Sequence, residues 1–165
     1  MNNVYLVGMP GCGKTTIGNI IAQNVGRTLI DADEYIVKRE GRTIPEIFEE
    51  GEAAFRSAET EALRKLSEMD NLLVATGGGV VTVEENIGIM KNSGKVIFID
   101  ASPEFIMDNS SLEGRPLLKD KTKIYDLYNA RIALYRKSAD YTVSNDGILS
   151  EACKKAEEII RKKCK

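Results

Sequence analysis

Nine consecutive residues, Gly8-Met9-Pro10-Gly11-Cys12-Gly13-Lys14-Thr15-Thr16, carry the clearest chemistry in this chain. They satisfy the pattern G-x-x-x-x-G-K-[ST] between an apolar run, Val4-Tyr5-Leu6-Val7, and a helical repeat, the setting a phosphate-binding loop requires. Gly8, Gly11 and Gly13 can take positive φ and let backbone N–H groups face an anion. A helix opening near Lys14 adds its free N–H groups and the positive end of its dipole. Lys14 is expected to reach the β- and γ-phosphates of a nucleoside triphosphate, and the Thr15 hydroxyl to ligate Mg²⁺. The plainer reading, a glycine-rich turn, does not account for the strand, the helix and the Lys-Thr pair together. Cys12 reads as a small filler of the loop rather than a nucleophile, although a helix N-terminus can lower a thiol's pKa. The loop points to a donor. It says nothing of the acceptor.

Phosphoryl transfer also needs a metal-directed acid, an acceptor site and positive charge on the migrating group. Two apolar runs end in acid: Leu29-Ile30-Asp31-Ala32-Asp33 and Ile97-Phe98-Ile99-Asp100. In strand geometry Asp31 and Asp33 point to one side, so one can serve Mg²⁺ while the other meets an acceptor hydroxyl. The bland alternative for that pair is a turn and a helix cap. Asp100 has the look of a metal-directed acid, but Ser102-Pro103 directly behind it favours a turn residue. Gly77-Gly78-Gly79 follows a strand, where doubly wound sheets bind ligands, and three glycines in a row suggest close approach of a ligand to the main chain. Arg56 neighbours the apolar anchor Phe55, and Arg131 lies among Tyr128, Ile132 and Tyr135 on an amphipathic pattern. Either arginine alone reads as a solvated surface residue; together, beside ligand-facing segments, they suit a bidentate clamp on a carboxylate. Arg115, in a charged aperiodic stretch, can neutralise phosphate charge when that stretch closes.

The elements that must position these residues alternate along the chain. Apolar bursts at Val4–Val7, Thr28–Asp31, Leu72–Ala75, Lys95–Asp100 and Tyr141–Val143 are separated by helical periods. That predicts an α/β domain with a mostly parallel sheet. Ile17, Ile20, Ile21 and Val25 mark the first helix, with Gly26 as its stop. Asp33 is expected to start the second helix, which runs to Gly41. Thr43-Ile44-Pro45-Glu46 and Thr82-Val83-Glu84-Glu85 have capping-box spacing; a short helix from the first is expected to stop at Gly51. Phe55, Ala58, Ala62, Leu63 and Leu66 mark a longer helix. Ser102-Pro103-Glu104 reads as a cap followed by Pro in the first turn, and Ser150 as the cap of the last helix. From about Asn109 to Lys123 periodicity is lost, with Gly114-Arg115-Pro116 at the centre, a connection long enough to be a lid.

Bulk properties set limits. The chain has 165 residues, one ordinary domain able to bury about 70% of its unfolded surface. It is 42% hydrophobic and 29% charged, with a formal net charge of −2, so nothing drives it toward nucleic acid or an anionic membrane. No apolar run approaches the roughly 20 residues of a membrane span, and no signal peptide is evident. There is no His, and Cys12, Cys153 and Cys164 lack metal-ligand spacing, which removes His-based catalysis and most zinc sites. An odd set of thiols fits a reducing cytoplasm.

Taken in order, six motifs resemble the shikimate kinase family: the loop Gly8 to Thr16, Asp31-Ala32-Asp33, Phe55-Arg56-Ser57-Ala58-Glu59, Gly77-Gly78-Gly79, Gly114-Arg115-Pro116-Leu117-Leu118 and Arg131-Ile132-Ala133-Leu134-Tyr135. The resemblance covers essentially the whole chain. It implies a three-layer P-loop kinase fold, a parallel five-stranded sheet of order 2-3-1-4-5 flanked by helices, with a mobile lid at about 109–123. It implies one domain over 1–165, with a substrate-binding segment at about 32–61. The implied activity is ATP-dependent phosphorylation of the 3-hydroxyl of shikimate, on the chorismate route to aromatic amino acids. Carried over by position, Gly11, Cys12, Gly13, Lys14, Thr15 and Thr16 would hold the nucleotide. Lys14, Asp33 and Arg115 would be catalytic, and Asp33, Arg56, Gly78, Gly79 and Arg131 would bind shikimate. Thr15 and, through water, Asp31 would serve Mg²⁺; Arg115 would touch both phosphate and acceptor. A cytoplasmic monomer whose partners are ATP and shikimate is expected, without nucleic acid or membrane.

One departure stands out. Related enzymes often place an Arg that stacks on adenine shortly before the lid's Arg-Pro-Leu-Leu, and here that stretch is Met107-Asp108-Asn109-Ser110-Ser111. The cation–π contact is lost; Val143-Ser144-Asn145 offers a different place for an adenine contact. Among rivals, a sugar-acid kinase of the same architecture would also want arginines, but not the Asp-x-Asp, triple-glycine and Arg-Pro-Leu-Leu combination. A nucleotide-dependent switch would carry Asn-Lys-x-Asp and Asp-x-x-Gly after a strand, and neither string occurs.

Overall fold

A computed structural model describes residues 2–109 and 121–165. Five strands, β1 (Asn3–Val7), β2 (Thr28–Asp31), β3 (Leu72–Ala75), β4 (Gly94–Asp100) and β5 (Tyr141–Ser144), form one sheet of order β2-β3-β1-β4-β5. Every pairing is parallel. The order matches the family's, and the physical cause lies in β1, whose residues are all buried. A central parallel strand is covered on both faces and therefore reads as a continuous apolar run rather than an alternating one. Its polar groups are satisfied: Asn3 Nδ2 donates to the carbonyls of Leu66 and Met69, Asn3 Oδ1 accepts from the Leu72 N–H, and the Tyr5 hydroxyl bonds Ser93 Oγ.

The helices are α1 (Lys14–Ile21), α2 (Ala32–Glu40), α3 (Ile44–Glu49), α4 (Glu52–Ser67), α5 (Glu84–Ser93), α6 (Pro103–Asn109), α7 (Lys121–Ser138) and α8 (Leu149–Lys163), with a 3-10 turn at Val80–Thr82. None of the helices among the described residues is long and apolar enough to cross a membrane. The core gathers β1, β3 and β4 with Ile17, Ile21, Leu63, Leu66, Met90 and Tyr135. A second cluster, Ile36, Ile47, Phe55 and Ala62, ties α2, α3 and α4 together, with Phe48 stacked on Phe55 at 4.6 Å between centroids. This second cluster holds the segment expected to meet the acceptor.

Several sequence expectations shift in detail. The second helix is capped by Asp31, not opened by Asp33: Asp31 Oδ1 accepts from the N–H groups of Asp33 and Glu34. Asp33 thus sits in a helical first turn, and its position follows from that turn instead of strand alternation. Thr43 and Glu46 form the expected capping box, and Ser102 Oγ accepts from the Phe105 N–H. The box expected at Thr82 does not form. The 3-10 turn draws the Thr82 hydroxyl back onto the Gly79 carbonyl at 2.6 Å, so α5 starts after Val83 without a side-chain cap. Ser150 lies inside α8, which starts one residue earlier after Ile148. Of the stretch at about 109–123 expected to be a lid, Asn109 closes α6 and Lys121 to Lys123 open α7. Residues 110–120, Arg115 among them, lie outside the described residues.

Replacing Thr43 by Ala removes the cap of α3 and should lower stability by about 0.5–2 kcal/mol. Urea unfolding with an unchanged slope is the check; an unchanged midpoint would mean the box contributes nothing to holding α2 to α4.

Candidate active site

The C-terminal ends of β1, β2 and β3 deliver two loops and the start of α2 to one side of the sheet, where open parallel sheets bind ligands. After β1 the chain turns through Gly8, Gly11 and Gly13, all at positive φ (152°, 81° and 104°), into the start of α1. Lys14 is buried and folded onto the loop, its Nζ donating to the carbonyls of Gly8 at 2.7 Å and Met9 at 2.9 Å. Cys12 is fully buried, its Sγ 3.7 Å from Lys14 Nζ, as a filler would be. All three cysteines are free and buried.

The Thr15 hydroxyl donates to Asp31 Oδ2 at 2.8 Å. Asp31 therefore joins two elements, with one oxygen on the loop's threonine and the other capping α2. A hydroxyl and a carboxylate this close form a hard oxygen pair of the kind Mg²⁺ uses, since that ion keeps several waters and takes few protein ligands. No group of three or more acidic or thiol ligands that could hold a metal exists among the described residues. Asp100 plays a different part: Oδ1 accepts from Tyr128 Oη at 3.5 Å and its carbonyl from the Asn145 N–H at 2.8 Å.

Opposite the loop, α4 presents Arg56. Its Nη1 donates to Glu59 Oε1 at 2.9 Å and its Nη2 to Glu52 Oε1 at 3.4 Å, and the guanidinium carbon lies 5.2 Å from the Phe55 ring centroid. Spacings of three and four residues on one helix bring these side chains together. Two polar atoms of the Arg56–Glu59 pair, Arg56 Nε and Glu59 Oε2, are buried without a hydrogen-bond partner among the described residues. Burial pushes the Glu59 carboxyl above the usual carboxylate range, and the facing Arg56 charge only partly opposes this. Asp33 lies at the exposed rim; partial desolvation, and then the Asp31 charge, raise its pKa also, against Lys14 and Arg56.

The three glycines after β3 are packed around by these groups. A Cβ on Gly79 would fall on the Arg56 guanidinium; one on Gly78 would meet Pro10 Cδ at 2.7 Å. A Cβ on Gly77 would lie 3.0 Å from Glu59 Oε2 and 3.1 Å from Asp33 Oδ1. The glycines thus make room for charged side chains and for the phosphate loop itself. From α7, the charge of Arg131 acts on both Tyr135 and Glu59. Tyr135 is fully buried, stacked on Phe98, and donates to the Gly78 carbonyl at 2.6 Å; burial raises its pKa well above the ordinary phenol value. Beside the loop a cleft of about 250 Å³ is lined by Gly11, Cys12, Gly13, Thr16, Phe105, Asn145, Gly147 and Leu149. Asn145 is the one member of the segment Val143-Ser144-Asn145 that reaches it.

The structure therefore brings together Lys14, Thr15, Asp31, Asp33, Arg56, Gly78, Gly79 and Arg131. Sequence reasoning assigned no role to Glu59, though an acid three residues after Arg56 was a usable signal. Tyr135 looked only like a periodic core residue.

The shikimate kinase family model matches residues 10–162. A shikimate kinase of Clostridium botulinum (strain Alaska E43 / Type E3) is 44% identical over 160 residues, covering 96% of this chain and 97% of that protein. The chain belongs to the shikimate kinase family. As a member it is a phosphotransferase acting on a hydroxyl group of shikimate, in a family of ATP-using kinases. The solved shikimate kinase of Acinetobacter baumannii, in complex with shikimate, superposes with a TM-score of 0.89 at 37% identity, over 100% of this chain and 96% of that one. A gluconokinase from Sinorhizobium meliloti 1021 reaches a TM-score of 0.65 at 12% identity, over 99% of this chain and 93% of that one. At that identity the likeness is one of fold alone.

The raised pKa of Glu59 carries a stability prediction. A carboxyl whose pKa is higher folded than unfolded contributes stability that is present below its unfolded pKa and lost as pH rises through the folded value. Relative to Glu59→Gln, the wild type should gain stability as pH falls from 7 toward about 4.5. Denaturant melts of both proteins across that range test it, and a difference constant with pH would contradict it.

Proposed function

We propose that residues 1–165 form a single kinase domain that moves the γ-phosphoryl group of ATP to the 3-hydroxyl of shikimate, the step that supplies shikimate 3-phosphate for chorismate and aromatic amino acids. The observation that carries the residue assignment is the meeting of Arg56, Arg131 and Asp33 beside the phosphate loop. An arginine pair suits the planar carboxylate of shikimate, and a carboxylate suits its hydroxyls. Arg56 uses few of its five N–H donors on Glu59 and Glu52, which leaves donors for a ligand. Gly78 and Gly79 line the ring, within the acceptor segment's reach at about 32–61. The loop backbone from Gly11 to Thr16, with Lys14, holds the polyphosphate.

Thr15 and, through water, Asp31 would hold Mg²⁺, which would supply charge neutralisation on the phosphates. Lys14 gives up its bonds to Gly8 and Met9 carbonyls for phosphate oxygens and, with Arg115, stabilises charge spreading on the transferring group. Asp33 orients the acceptor hydroxyl and takes its proton; its raised pKa brings it closer to the range a general base needs. The stretch at about 109–123 acts as the lid that excludes water. The protein works as a monomer in a reducing cytoplasm, where its three thiols stay free, with small molecules as its partners.

A coupled ADP-release assay across shikimate, gluconate, nucleoside monophosphates and no acceptor tests the activity. Release should require shikimate; acceptor-independent GTP hydrolysis would overturn the reading in favour of a switch. Asp33→Asn should reduce kcat by about 100-fold or more, the scale of general-base catalysis, with the Kd for ATP nearly unchanged. Wild-type turnover would remove Asp33 from its assigned role.

A further inference from the structure

The loop that grips phosphate is itself gripped from the sheet. Asn145, directly after β5, is 5% exposed. Its backbone N–H donates to the Asp100 carbonyl at 2.8 Å, which roots it at the edge of β4. Its side-chain Nδ2 donates to the Cys12 carbonyl at 2.8 Å. Nothing else in the described hydrogen bonds holds that carbonyl. A Cβ on Gly13 would lie 2.8 Å from the same Nδ2, so this contact requires glycine there, in addition to the φ of 104°. The other amide atom, Oδ1, is buried without a partner among the described residues. A buried acceptor left unsatisfied costs stability, and an apolar side chain of the same size would avoid that cost. The residue is thus a poor choice for filling space and a good one for holding a carbonyl.

The consequence follows from peptide geometry. In a planar trans peptide the C=O of one residue and the N–H of the next point in opposite directions. Holding the Cys12 carbonyl toward Asn145 turns the Gly13 N–H to the other side of that plane, into the anion cradle ahead of α1. We propose that Asn145 is a positioning residue for phosphate binding: by fixing the Cys12–Gly13 peptide it aims the Gly13 N–H at the polyphosphate of the donor. It is not itself a phosphate ligand and need not touch the base, although it lines the cleft in which the rest of the nucleotide would lie. The inference rests on the reading that this loop binds ATP.

The test compares binding of ADP, adenosine and shikimate to the wild type and to Asn145→Leu, which keeps the branching at Cγ and deletes the donor. ADP affinity should fall about tenfold, the scale of one misaimed hydrogen bond to a charged group. Adenosine affinity and shikimate KM at saturating ATP should stay within about twofold, and the protein should still unfold in one cooperative transition well above the assay temperature. Asn145→Ser, whose hydroxyl is too short to reach the carbonyl, should give the same ADP loss if the leucine variant folds poorly. Equal losses for ADP and adenosine would overturn the proposal and place the amide against the base instead. Unchanged ADP binding in both variants would overturn it outright, and a loss shared with shikimate would reduce Asn145 to a fold-stabilising residue. If the wild type itself bound no ADP, the donor reading would fall, and this inference with it.

Discussion

A guanidinium largely withdrawn from water needs partners, and Arg56, its side chain 17% exposed, is the charge around which this site is built. It is placed by α4, pressed against Phe55, paired with Glu59 and Glu52, and given room only because Gly79 has no side chain. The pairing is incomplete, with Arg56 Nε and Glu59 Oε2 unmatched among the described residues. Breaking a buried pair by removing one partner is far more costly than never having built it, so Glu59 is as necessary to the arrangement as Arg56. The raised pKa of Glu59 reflects the same tension between desolvation and the facing cation. A site held in this state suits a ligand that brings negative charge and hydroxyls of its own.

The donor side is joined to that charge through short links. Pro10 of the phosphate loop lies against Gly78, and Tyr135 fixes the Gly78 carbonyl from α7. Asp31 bonds Thr15 while capping the helix that carries Asp33. The loop and the acceptor groups are therefore set by one another through single hydrogen bonds and van der Waals contacts, not through a flexible connection. Positioning of this kind is most of what a phosphoryl-transfer enzyme contributes, since the transferred group needs little covalent assistance. The sheet order supplies the frame: β3 and β1 lie side by side, so their loops emerge side by side.

The phosphate loop, the strands and their parallel arrangement were legible because local chemistry dictates them: apolar runs, glycines and a Lys-Thr pair in fixed spacing. Arg56 and Arg131 were legible as residues but not as a geometry, because the contact between α4 and the Gly77 to Gly79 turn joins positions far apart in the chain. The triple glycine was read as room for a ligand, and much of that room is taken by Arg56, Glu59, Asp33 and Pro10. Thr82 looked like a helix cap, but a 3-10 turn, invisible to a capping rule, redirected its hydroxyl. Asn145 was visible only as part of a segment after the last strand; its bond to the Cys12 carbonyl spans 133 positions.

The central claim is that the two arginines beside the loop recognise the acceptor's carboxylate. The most direct measurement is a cycle between ligand and protein: KM for shikimate and for its carboxamide, with the wild type and with Arg56→Met, Arg131→Met and the double variant. The wild type should prefer the carboxylate by at least about tenfold, as one lost charged hydrogen bond would give, and the double variant should lose the preference. A wild type that accepts the carboxamide with the same KM, or a double variant that keeps the full preference, would contradict it.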